Sequence, residues 1–413
     1  MTDTLTGPAG QHAEQTPEYP MARADRCPFD PPPALSGLQD QGPLTKVRIW
    51  DGSTPWMVTR YADQRALLVD PRVSADTRHE NFPHQSESLK ARREMGRTFI
   101  NMDDPEHARL RRMVTGPFAI KRVETMRPAI QRIVDDLIDG MLAGPKPADL
   151  VQAFALPVPS MVICELLGVP YEDHDFFQTR SRVLISRKSA TDVVLTAQRE
   201  VIDYLDELVG RKLAEPADDL LSKLAAEQVA TGELTRRELA NMGFLLLVAG
   251  HETTANMIAL GTLALLENPD QLAILRESRD PKLIAGAVEE LLRYLHIVHS
   301  ARRRVALEDI EVGGQTIRAG EAIMLPGEIA NRDAEVFTDP DRLDVTRDAR
   351  RHVAFGFGPH QCLGQPLARV ELQVVYSTLY RRIPTLKLAT DVDRVPFKHD
   401  GLVYGVYELP VSW

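Results

Sequence analysis

Residues 355–364 read FGFGPHQCLG, and Leu367–Leu372 continue them as LARVEL, a segment with helical spacing of apolar residues. Cys362 therefore lies where a glycine-rich loop passes into a helix. Backbone amides and a helix N-terminus both favour the thiolate, which is the form of cysteine that binds a metal. Glycines also let the backbone approach a flat ligand closely. The stretch predicts a metal-ligating thiolate beside a flat ligand; the alternative is that Cys362 is a small buried hydrophobic residue, as most free cysteines are.

The composition is typical of one large globular domain. Hydrophobic residues make up 43% of the 413 residues and charged residues 26%, and no Gly/Ser-rich linker divides the chain. Residues 1–40 differ, because they carry Pro31-Pro32-Pro33 and small polar residues. We expect a loosely ordered lead-in over residues 1–40 and a single domain over residues 41–413.

Charge and cysteine usage narrow the partners and the compartment. The formal net charge of −10 argues against nucleic acid as a partner. Cys27, Cys164 and Cys362 are widely spaced and odd in number, which fits a reducing compartment better than a disulfide framework. The chain does not open with a basic-then-apolar signal, and its densest apolar run, Phe244–Ala249, is far shorter than the roughly 20 residues that span a membrane. The sequence predicts a soluble cytoplasmic protein without a membrane partner, and we expect a monomer.

Helical patterns dominate from about Asp104 to Leu295, with short β segments near each end. Residues 47–50 and 56–59 flank DGSTP and predict a hairpin. Residues 310–312 and 315–317 flank Gly313-Gly314 and predict a second one. The sequence thus predicts a mainly α fold with small β-sheets.

The strongest helical signal begins at a capping box, Thr235-Arg236-Arg237-Glu238, and continues until Asn268-Pro269. A helix of this length, over about 30 residues, extends roughly 48 Å and crosses the whole molecule. Its middle, Phe244–Ala249, is apolar on every face and predicts burial. The polar cluster Gly250-His251-Glu252-Thr253-Thr254 follows directly, and burying its carboxyl and hydroxyl groups costs several kcal/mol unless they find partners. The cluster indicates a functional site; the alternative is that both threonines bond back to the preceding turn and Glu252 pairs with a distant arginine.

The cysteine loop and the polar cluster together resemble the cytochrome P450 family. FGFGPHQCLG is similar to that family's cysteine-ligand loop, and AGHETT at residues 249–254 resembles its oxygen-activation segment. The resemblance runs from about Pro43 to Trp413. It implies the cytochrome P450 fold, a single triangular haem domain with a long central helix. It also implies haem b as the cofactor, with the Cys362 thiolate as the axial ligand of the iron.

The resemblance assigns roles on both faces of the haem. Glu252 would be the acid and Thr253 the alcohol that relay protons to dioxygen. Ala249 and Gly250 would border the cofactor, Gly250 by leaving space for the gas. The remaining contacts would come from the cysteine loop: Phe355, Gly356, His360, Cys362 and Gly364.

Haem carries two propionates, and their burial requires cations. His107 and Arg111 are four apart on a predicted helix that begins at Asp104-Pro105, and they resemble the propionate-binding helix of bacterial members. Arg304 and His360 match two further propionate contacts by family position.

One further set of residues is predicted to support the fold, and another is rejected as a set of metal ligands. Glu290 and Arg293, three apart, resemble the family's structural ion pair, with Arg342 as a possible third member. We assign them to folding and not to chemistry. The histidines that could be proposed as alternative metal ligands lack metal-site spacing; they are His251, His296 and His299.

The family resemblance implies a haem monooxygenase that uses O2 to hydroxylate a medium-to-large hydrophobic small molecule. Residues 150–173 look like those of actinobacterial members that act on secondary metabolites and xenobiotics, which implies a macrolide, polyketide, statin or steroid as substrate. Electrons would come from a ferredoxin and a ferredoxin reductase, since no flavin or iron–sulfur motif is fused to the chain. Arg109, Arg112 and Arg369 would suit an acidic ferredoxin on the cysteine side, or they are ordinary solvated arginines.

By family position, the substrate pocket draws on residues 78–100, 184–193, 246–250, 297–300 and 402–404. The candidate contacts are Leu246, Ile297, His299 and Val403, and His296 could also touch substrate. The first segment is unusually basic, which suggests that it steers an acidic group of the substrate; the alternative is a mobile, solvated loop. Its basic residues are Arg78, His79, Arg92, Arg93 and Arg97.

Two other functions stay open at this point. A peroxygenase that uses hydrogen peroxide could share the cysteine loop, although such members typically lack the acid-alcohol pair of Glu252 and Thr253. A haem gas sensor or carrier would need no proton relay and usually brings a signalling domain, which the sequence does not contain.

Overall fold

The computed structural model describes residues 16–24, 28–93 and 95–413. Most of the fold is helical. The α-helices are α1 (Pro33–Gln41), α2 (Tyr61–Val69), α3 (Glu87–Arg92), α4 (Glu106–Thr115), α5 (Ile120–Ala143), α6 (Pro157–Leu167), α7 (His174–Ile185), α8 (Thr191–Ala214), α9 (Leu220–Leu224), α10 (Arg236–Glu267), α11 (Pro269–Glu277), α12 (Pro281–Leu295), α13 (Gly327–Ala330) and α14 (Gln365–Arg382). A π-helical turn at Val151–Ala155 precedes α6, and another at Ala225–Val229 follows α9.

The strands are short. They are β1 (Leu44–Lys46), β2 (Trp56–Val58), β3 (Val73–Ser74), β4 (Ala148–Asp149), β5 (Arg302–Ala306), β6 (Ile310–Val312), β7 (Gln315–Ile317), β8 (Ala322–Leu325), β9 (Lys387–Leu388) and β10 (Pro410–Ser412). The largest sheet has the order β1-β2-β8-β5-β3, and β2 and β8 are its parallel neighbours. A second sheet has the order β4-β10-β9, and β6 and β7 form a hairpin.

The long helix α10 confirms the prediction made from its capping box. Thr235 caps its N-terminus, with the Thr235 amide donating to Glu238 Oε2 at 2.8 Å and the Glu238 amide donating to Thr235 Oγ1 at 3.1 Å. The helix ends at Glu267, directly before Asn268-Pro269. It packs on α6, α8 and α14 through the centre of the apolar core.

By length and composition, α10 could cross a membrane over Arg236–Leu266, but 72% of its most apolar window is buried inside the protein. The neighbouring helices therefore occupy the surface that lipid would cover. A core helix of a soluble protein has the same character.

One predicted hairpin is confirmed and the other is displaced. β6 and β7 pair as predicted, and Gly313 and Gly314 have φ values of 55° and 79°, as a two-residue type I′ turn requires. In the first hairpin the strand is Leu44–Lys46 instead of residues 47–50, and it pairs with Trp56–Val58. Val47 and Ile49 continue this hairpin beyond the strand, since their amides donate to the Pro55 and Ser53 carbonyls at 3.1 and 3.0 Å. Both side chains are buried in an apolar cluster.

The prediction of a loosely ordered lead-in over residues 1–40 is wrong for the part that the structure describes. Tyr19 and Met21 are buried in the cluster that also holds Leu35 and Leu38 of α1. The Tyr19 amide donates to the Arg48 carbonyl at 2.8 Å, and so does the Arg48 amide to the Pro17 carbonyl. These apolar residues cover the outer face of the sheet, a tertiary contact that composition could not indicate. Residues 1–15 and 25–27 lie outside the described residues.

Candidate active site

The loop before α14 owes its path to two glycines. Gly356 and Gly358 have φ values of 78° and 73°, a region that other residues rarely adopt. A Cβ at position 358 would lie 2.4 Å from the Leu68 carbonyl oxygen. The Cys362 amide then donates to the Phe355 carbonyl at 2.8 Å, which closes the loop. The glycines that the sequence singled out thus set the position of the cysteine.

Cys362 is a free thiol at the N-terminal end of α14 that borders an internal cavity. The amides of Gly364 and Gln365 donate to its sulfur and, together with nearby arginines, favour the thiolate. Burial opposes them and is the larger effect, so the pKa of the Cys362 thiol lies above its ordinary value. Cys164 is buried elsewhere, with its pKa raised to about 12 by desolvation. Of the described cysteines, Cys362 alone borders the cavity.

The cavity has a volume of about 330 Å³ and lies between α10, the cysteine loop, α14 and the segment that leads into β5. Its lining is mostly apolar on the α10 side. The apolar residues are Phe99, Ile100, Phe118, Ile163, Leu245, Leu246, Met257, Leu292, Ile297 and Val298. This combination of an apolar wall and a few polar groups is typical of a cofactor or ligand site.

Arginine and histidine side chains gather at one end of the cavity. Arg111, Arg302 and His360 line it, and the ring of His107 lies 4.1 Å from that of His360. His107 Nε2, His360 Nδ1 and Arg302 Nη1 are buried and have no hydrogen-bond partner in the described structure. Burial, together with the charge of neighbouring Arg304, lowers the pKa of His360 to about 3. Unpaired buried donors of this kind indicate a site for an anionic group.

Arg302 was missed in the sequence, whereas Arg304 was expected. Both side chains leave β5 on the same face, because strand residues two apart share a face. Arg302 borders the cavity and donates from Nη2 to the Val353 and Ala354 carbonyls at 2.7 and 2.9 Å. Arg304 instead donates to the Arg303 carbonyl and does not line the cavity. The same alternation, applied to the run Arg302-Arg303-Arg304, would have indicated Arg302.

The polar cluster of α10 faces two different cavities. Ala249, Gly250, Thr253 and Thr254 border the Cys362 cavity. Glu252 does not; it borders a second, polar cavity of about 390 Å³. Lys398 lines that second cavity too, with Nζ 3.9 Å from Glu252 Oε2.

The alternative interpretation of the cluster holds in part. Thr253 Oγ1 donates back to the Ala249 carbonyl at 2.6 Å, and the partner of Glu252 is a lysine and not an arginine. Gly250 was expected to leave space for a gas, and the structure indicates a second reason for a glycine at this position. A Cβ there would lie 3.1 Å from Ile163 Cδ1, so the glycine also permits the close approach of α6.

Glu290 and Arg293 form a fully buried ion pair with N–O distances of 2.7 and 2.8 Å. The third side chain differs from the one expected. Arg347 Nε lies 3.2 Å from Glu290 Oε1, whereas the Arg342 side chain pairs with Asp344 and offers only its carbonyl to Arg293. Arg342 lies in a turn that points its guanidinium outward, which the spacing of charges along the chain could not reveal.

The structure brings two of the four expected substrate contacts to the cavity wall. Leu246 and Ile297 line the cavity, whereas His299 and Val403 do not. Residues 297–299 pair with residues 402–404, and His299 lies on the far side of this pair, with Nδ1 3.4 Å from Arg23. His296, with a φ of 26°, and Val298 border the cavity in their place.

Segments 184–193 and 402–404 contribute no side chain to the cavity wall in the described structure, and residues 78–100 contribute Phe99 and Ile100. In that basic segment, Arg78 pairs with Asp76 at 2.6 Å and Arg97 with Glu106 at 3.1 Å. The described residues contain no His, Cys, Asp or Glu group able to hold a metal ion by itself.

Glu371 is a cavity residue that sequence reasoning missed. Its carboxyl is buried, lines the Cys362 cavity, and leaves Oε2 without a hydrogen-bond partner in the described structure. Burial alone raises its pKa to about 8. A glutamate inside the apolar stretch LARVEL was the available signal.

Known proteins share this arrangement. Residues 45–403 match the cytochrome P450 family. Cytochrome P450 GfsF from Streptomyces halstedii is 59% identical and aligns over 100% of both chains. Cytochrome P450-SU2 from Streptomyces griseolus is 56% identical over 95% of this chain and 96% of its own. The solved structure of mycinamicin VIII C21 methyl hydroxylase from Micromonospora griseorubida, bound to mycinamicin VIII, superposes with a TM-score of 0.91 at 43% identity, covering 96% of this chain and 100% of that one. The chain belongs to the cytochrome P450 family and is a monooxygenase whose haem is held by a cysteine thiolate.

Proposed function

We propose that this protein hydroxylates a medium-to-large hydrophobic small molecule, with Cys362 as the axial ligand of haem b and a ferredoxin as the electron donor. One observation carries the proposal: the same cavity is bordered by Cys362, by buried arginine and histidine nitrogens without a partner in the described structure, and by the Thr253 face of α10. The other roles follow from where the side chains lie around this cavity.

The residues present fit a haem. A flat apolar ring suits the wall of α10, and two carboxylates suit the end of the cavity where arginine and histidine side chains gather. Three nitrogens there lack partners in the described structure: His107 Nε2, His360 Nδ1 and Arg302 Nη1. Arg111 adds a charge beside the loop, since its guanidinium donates to the Gln361 carbonyl. Gly364 leaves room, because a Cβ there would meet no atom within 4 Å. When bound, the haem supplies the oxygen-insertion chemistry, and the thiolate donates electron density to it.

The two cavities support a route for protons along one turn of α10. Glu252 borders the polar cavity, and the next residue, Thr253, borders the haem cavity. The Glu252 carboxyl can exchange a proton with water in the polar cavity. Thr253 can then pass a proton from its hydroxyl when Oγ1 turns away from the Ala249 carbonyl.

The apolar wall supports a hydrophobic substrate. Leu246, Ile297 and Val298 line the cavity near Thr253, and they would hold the reacting carbon and exclude water. Relatives carry the names vitamin D3 dihydroxylase and pentalenic acid synthase, and one binds the macrolide mycinamicin VIII. These names support a macrolide, polyketide, steroid or similar molecule as the substrate class.

An acidic ferredoxin would dock on the cysteine side of the molecule. Arg109 and Arg112 of α4 are exposed there and have no acidic partner in the described structure. Arg369 is a poorer candidate than the sequence suggested, because it pairs with Glu289 at 2.6 Å. We propose that the enzyme works in the cytoplasm as a monomer, supplied by a ferredoxin and its reductase.

The absorption spectrum of the dithionite-reduced protein with carbon monoxide tests the proposal. We expect the strongly red-shifted Soret band of thiolate ligation, and we expect Cys362→His to lose it while Cys164→Ser keeps it. A wild-type Soret band at the ordinary histidine-type position would contradict the role of Cys362. Titration with macrolides, steroids and statins should then produce a low-to-high-spin shift for a member of the substrate class.

A further inference from the structure

Arg303 is a half-buried arginine with no hydrogen-bond or ion-pair partner among the described residues. It lies in the middle of β5 between Arg302 and Arg304, and its side chain leaves the opposite face of the sheet. Its cross-strand neighbour Met324 belongs to the apolar cluster that Tyr19 and Met21 cover. No described carboxylate or carbonyl accepts a hydrogen bond from its guanidinium, and burial lowers its pKa to about 10. Arg303 is half-buried, so its strand position holds a partly desolvated cation that has no ion pair in the described structure.

The nearest described groups do not supply a counter-charge. The Arg303 guanidinium lies 5.7 Å from the ring centre of Phe82, whose ring lies 5.0 Å from that of His84. His84 is 4% exposed, and its Nε2 has no hydrogen-bond partner. The pKa of His84 falls to about 4 because of burial and because of the charge of Arg303. His84 Nε2 is therefore a second polar group without a partner in the described structure, and it lies within electrostatic range of Arg303.

Further donors border the region. Arg92 at the end of α3 donates to Gln198 Oε1 at 2.5 Å and to the Leu184 carbonyl at 3.4 Å, and neither partner is charged. Arg187 donates from Nη2 to the His399 carbonyl at 2.7 Å, whereas its Nη1 is buried without a partner. The hydroxyl of Tyr19, which lies within electrostatic range of both Arg187 and Arg303, is also buried and unpaired.

The acids in range are fewer than the arginines. Glu328 accepts from Arg23 at 3.2 Å. Asp400 accepts from the hydroxyls of Tyr407 and Ser186, at 2.7 and 3.3 Å, and keeps its charge. These two acids lie within electrostatic range of Arg187, and they are outnumbered by four arginines: Arg23, Arg92, Arg187 and Arg303. Burying such cations is unfavourable unless an anion pairs with them.

We propose that Arg303, with Arg187, Tyr19 and His84 around it and Arg92 beside it, forms a subsite for a carboxylate group of the substrate. The inference deepens the proposed function and rests on it. Val298 borders the haem cavity, and Arg303 follows it five positions later in the chain. An extended chain covers at most about 18 Å over that span. The subsite therefore lies within reach of an elongated substrate whose reacting carbon is in the haem cavity.

The test compares acids with their neutral esters. Dodecanoic acid, hexadecanoic acid and their methyl esters are titrated into haem-loaded wild type, Arg303→Gln, Arg303→Lys and Arg78→Gln, with the spin-state shift and isothermal calorimetry as readouts. Arg78 is the matched control, since it is 57% exposed and already paired with Asp76. We expect wild type to bind at least one acid about tenfold or more tightly than its ester, as hydrogen bonds to a charged group allow. Arg303→Gln should remove this preference, Arg303→Lys should keep part of it, and Arg78→Gln should keep all of it.

Stability gives an independent measurement. If Arg303 is present for binding and not for folding, the apolar variant Arg303→Met should raise the Tm of the ligand-free protein. A lower Tm would identify a structural arginine and overturn the proposal. So would equal affinity of wild type for every acid and its ester, or an acid preference that survives in Arg303→Gln. Competition by inorganic phosphate without any acid preference would indicate a general anion site and would overturn it as well.

Failure of the subsite and failure of the proposed function have different signatures. An acid preference seen by calorimetry in a protein whose carbon monoxide spectrum lacks the thiolate band would overturn the function and leave the anion subsite standing. A normal thiolate spectrum with no acid preference would overturn the subsite alone.

Discussion

Lys398 Nζ lies 3.9 Å from Glu252 Oε2, and the two side chains are 10% and 5% exposed. The contact ties a carboxyl of the central helix α10 to the C-terminal part of the chain, inside a polar cavity. The neighbouring residue Thr253 faces the haem cavity instead. Consecutive residues of α10 therefore place an acid beside the polar cavity and an alcohol beside the haem cavity, and Lys398 holds the acid on the side of the polar cavity.

Replacement of Lys398 by Met should destabilise the protein by about 1–3 kcal/mol, because it leaves the Glu252 carboxylate enclosed without a cation. The double variant Glu252→Gln/Lys398→Met should regain most of that loss, since no buried charge remains. Denaturant unfolding of the wild type, both single variants and the double variant measures the coupling. Losses that simply add would show that the two side chains do not interact.

Replacement of Thr253 by Ala should uncouple electron transfer from product formation. The Thr253 hydroxyl borders the haem cavity and can pass a proton, and its loss should lower product formation about 100-fold or more while NADH consumption continues. Product and hydrogen peroxide are measured together with a ferredoxin system. Thr254→Ala, which alters another hydroxyl on the cavity wall, is the control. Unchanged product formation driven by added peroxide would favour a peroxygenase, and an unchanged ferredoxin-driven reaction would exclude Thr253 from the proton route.

Arg302→Gln should weaken haem retention more than Arg304→Gln. Arg302 borders the cavity and has an unpaired Nη1, whereas Arg304 donates to the Arg303 carbonyl outside the cavity wall. Loss of a charge-assisted hydrogen bond to a carboxylate predicts a haem dissociation constant about tenfold higher for Arg302→Gln. Transfer of haem to an excess of apomyoglobin measures it. Faster loss from Arg304→Gln would restore the assignment made from family position.

Arg347 and Arg342 differ in their contacts with the buried pair of Glu290 and Arg293. Arg347 contacts the buried Glu290 carboxylate, so we expect Arg347→Ala to cost about 1–3 kcal/mol. The Arg342 side chain pairs with Asp344 near the surface, and Arg342→Ala should cost less than about 1 kcal/mol. Thermal unfolding of the two variants ranks them. A larger loss from Arg342→Ala would mean that its side chain supports the Glu290 pair in solution.

Features encoded by neighbouring residues could be predicted from the sequence. The capping box at Thr235 and Glu238 and the glycine pair of the β6-β7 hairpin act through hydrogen bonds and torsions within a few residues, and both elements have the predicted bounds. Placement of Cys362 at a loop-helix junction is local in the same sense. These signals do not depend on what packs against them.

The rest depends on contacts between distant segments. Arg302 borders the cavity because of the face that β5 presents, and His299 turns away because residues 297–299 pair with residues 402–404. The burial of Tyr19 depends on the outer face of a sheet whose strands come from separate parts of the chain. Periodicity within one segment carries no information about such partners.

Glu371 predicts a pH dependence of stability. Its pKa rises from the usual 4.5 to about 8, because the carboxyl is buried without a cation. The folded protein therefore keeps the proton that the unfolded chain releases, so stability is full below about pH 4.5 and falls as the pH rises toward 8. The complete shift corresponds to about 5 kcal/mol, at about 1.4 kcal/mol per pH unit.

Glu371→Gln cannot ionise, and at pH 8 it should be more stable than wild type by up to this amount, with little difference at pH 5. Unfolding of both proteins across this range isolates Glu371, because the histidines titrate in both. The exposed Glu165→Gln should follow wild type at every pH. Parallel curves for wild type and Glu371→Gln would mean that Glu371 finds a cation or water that keeps its pKa ordinary.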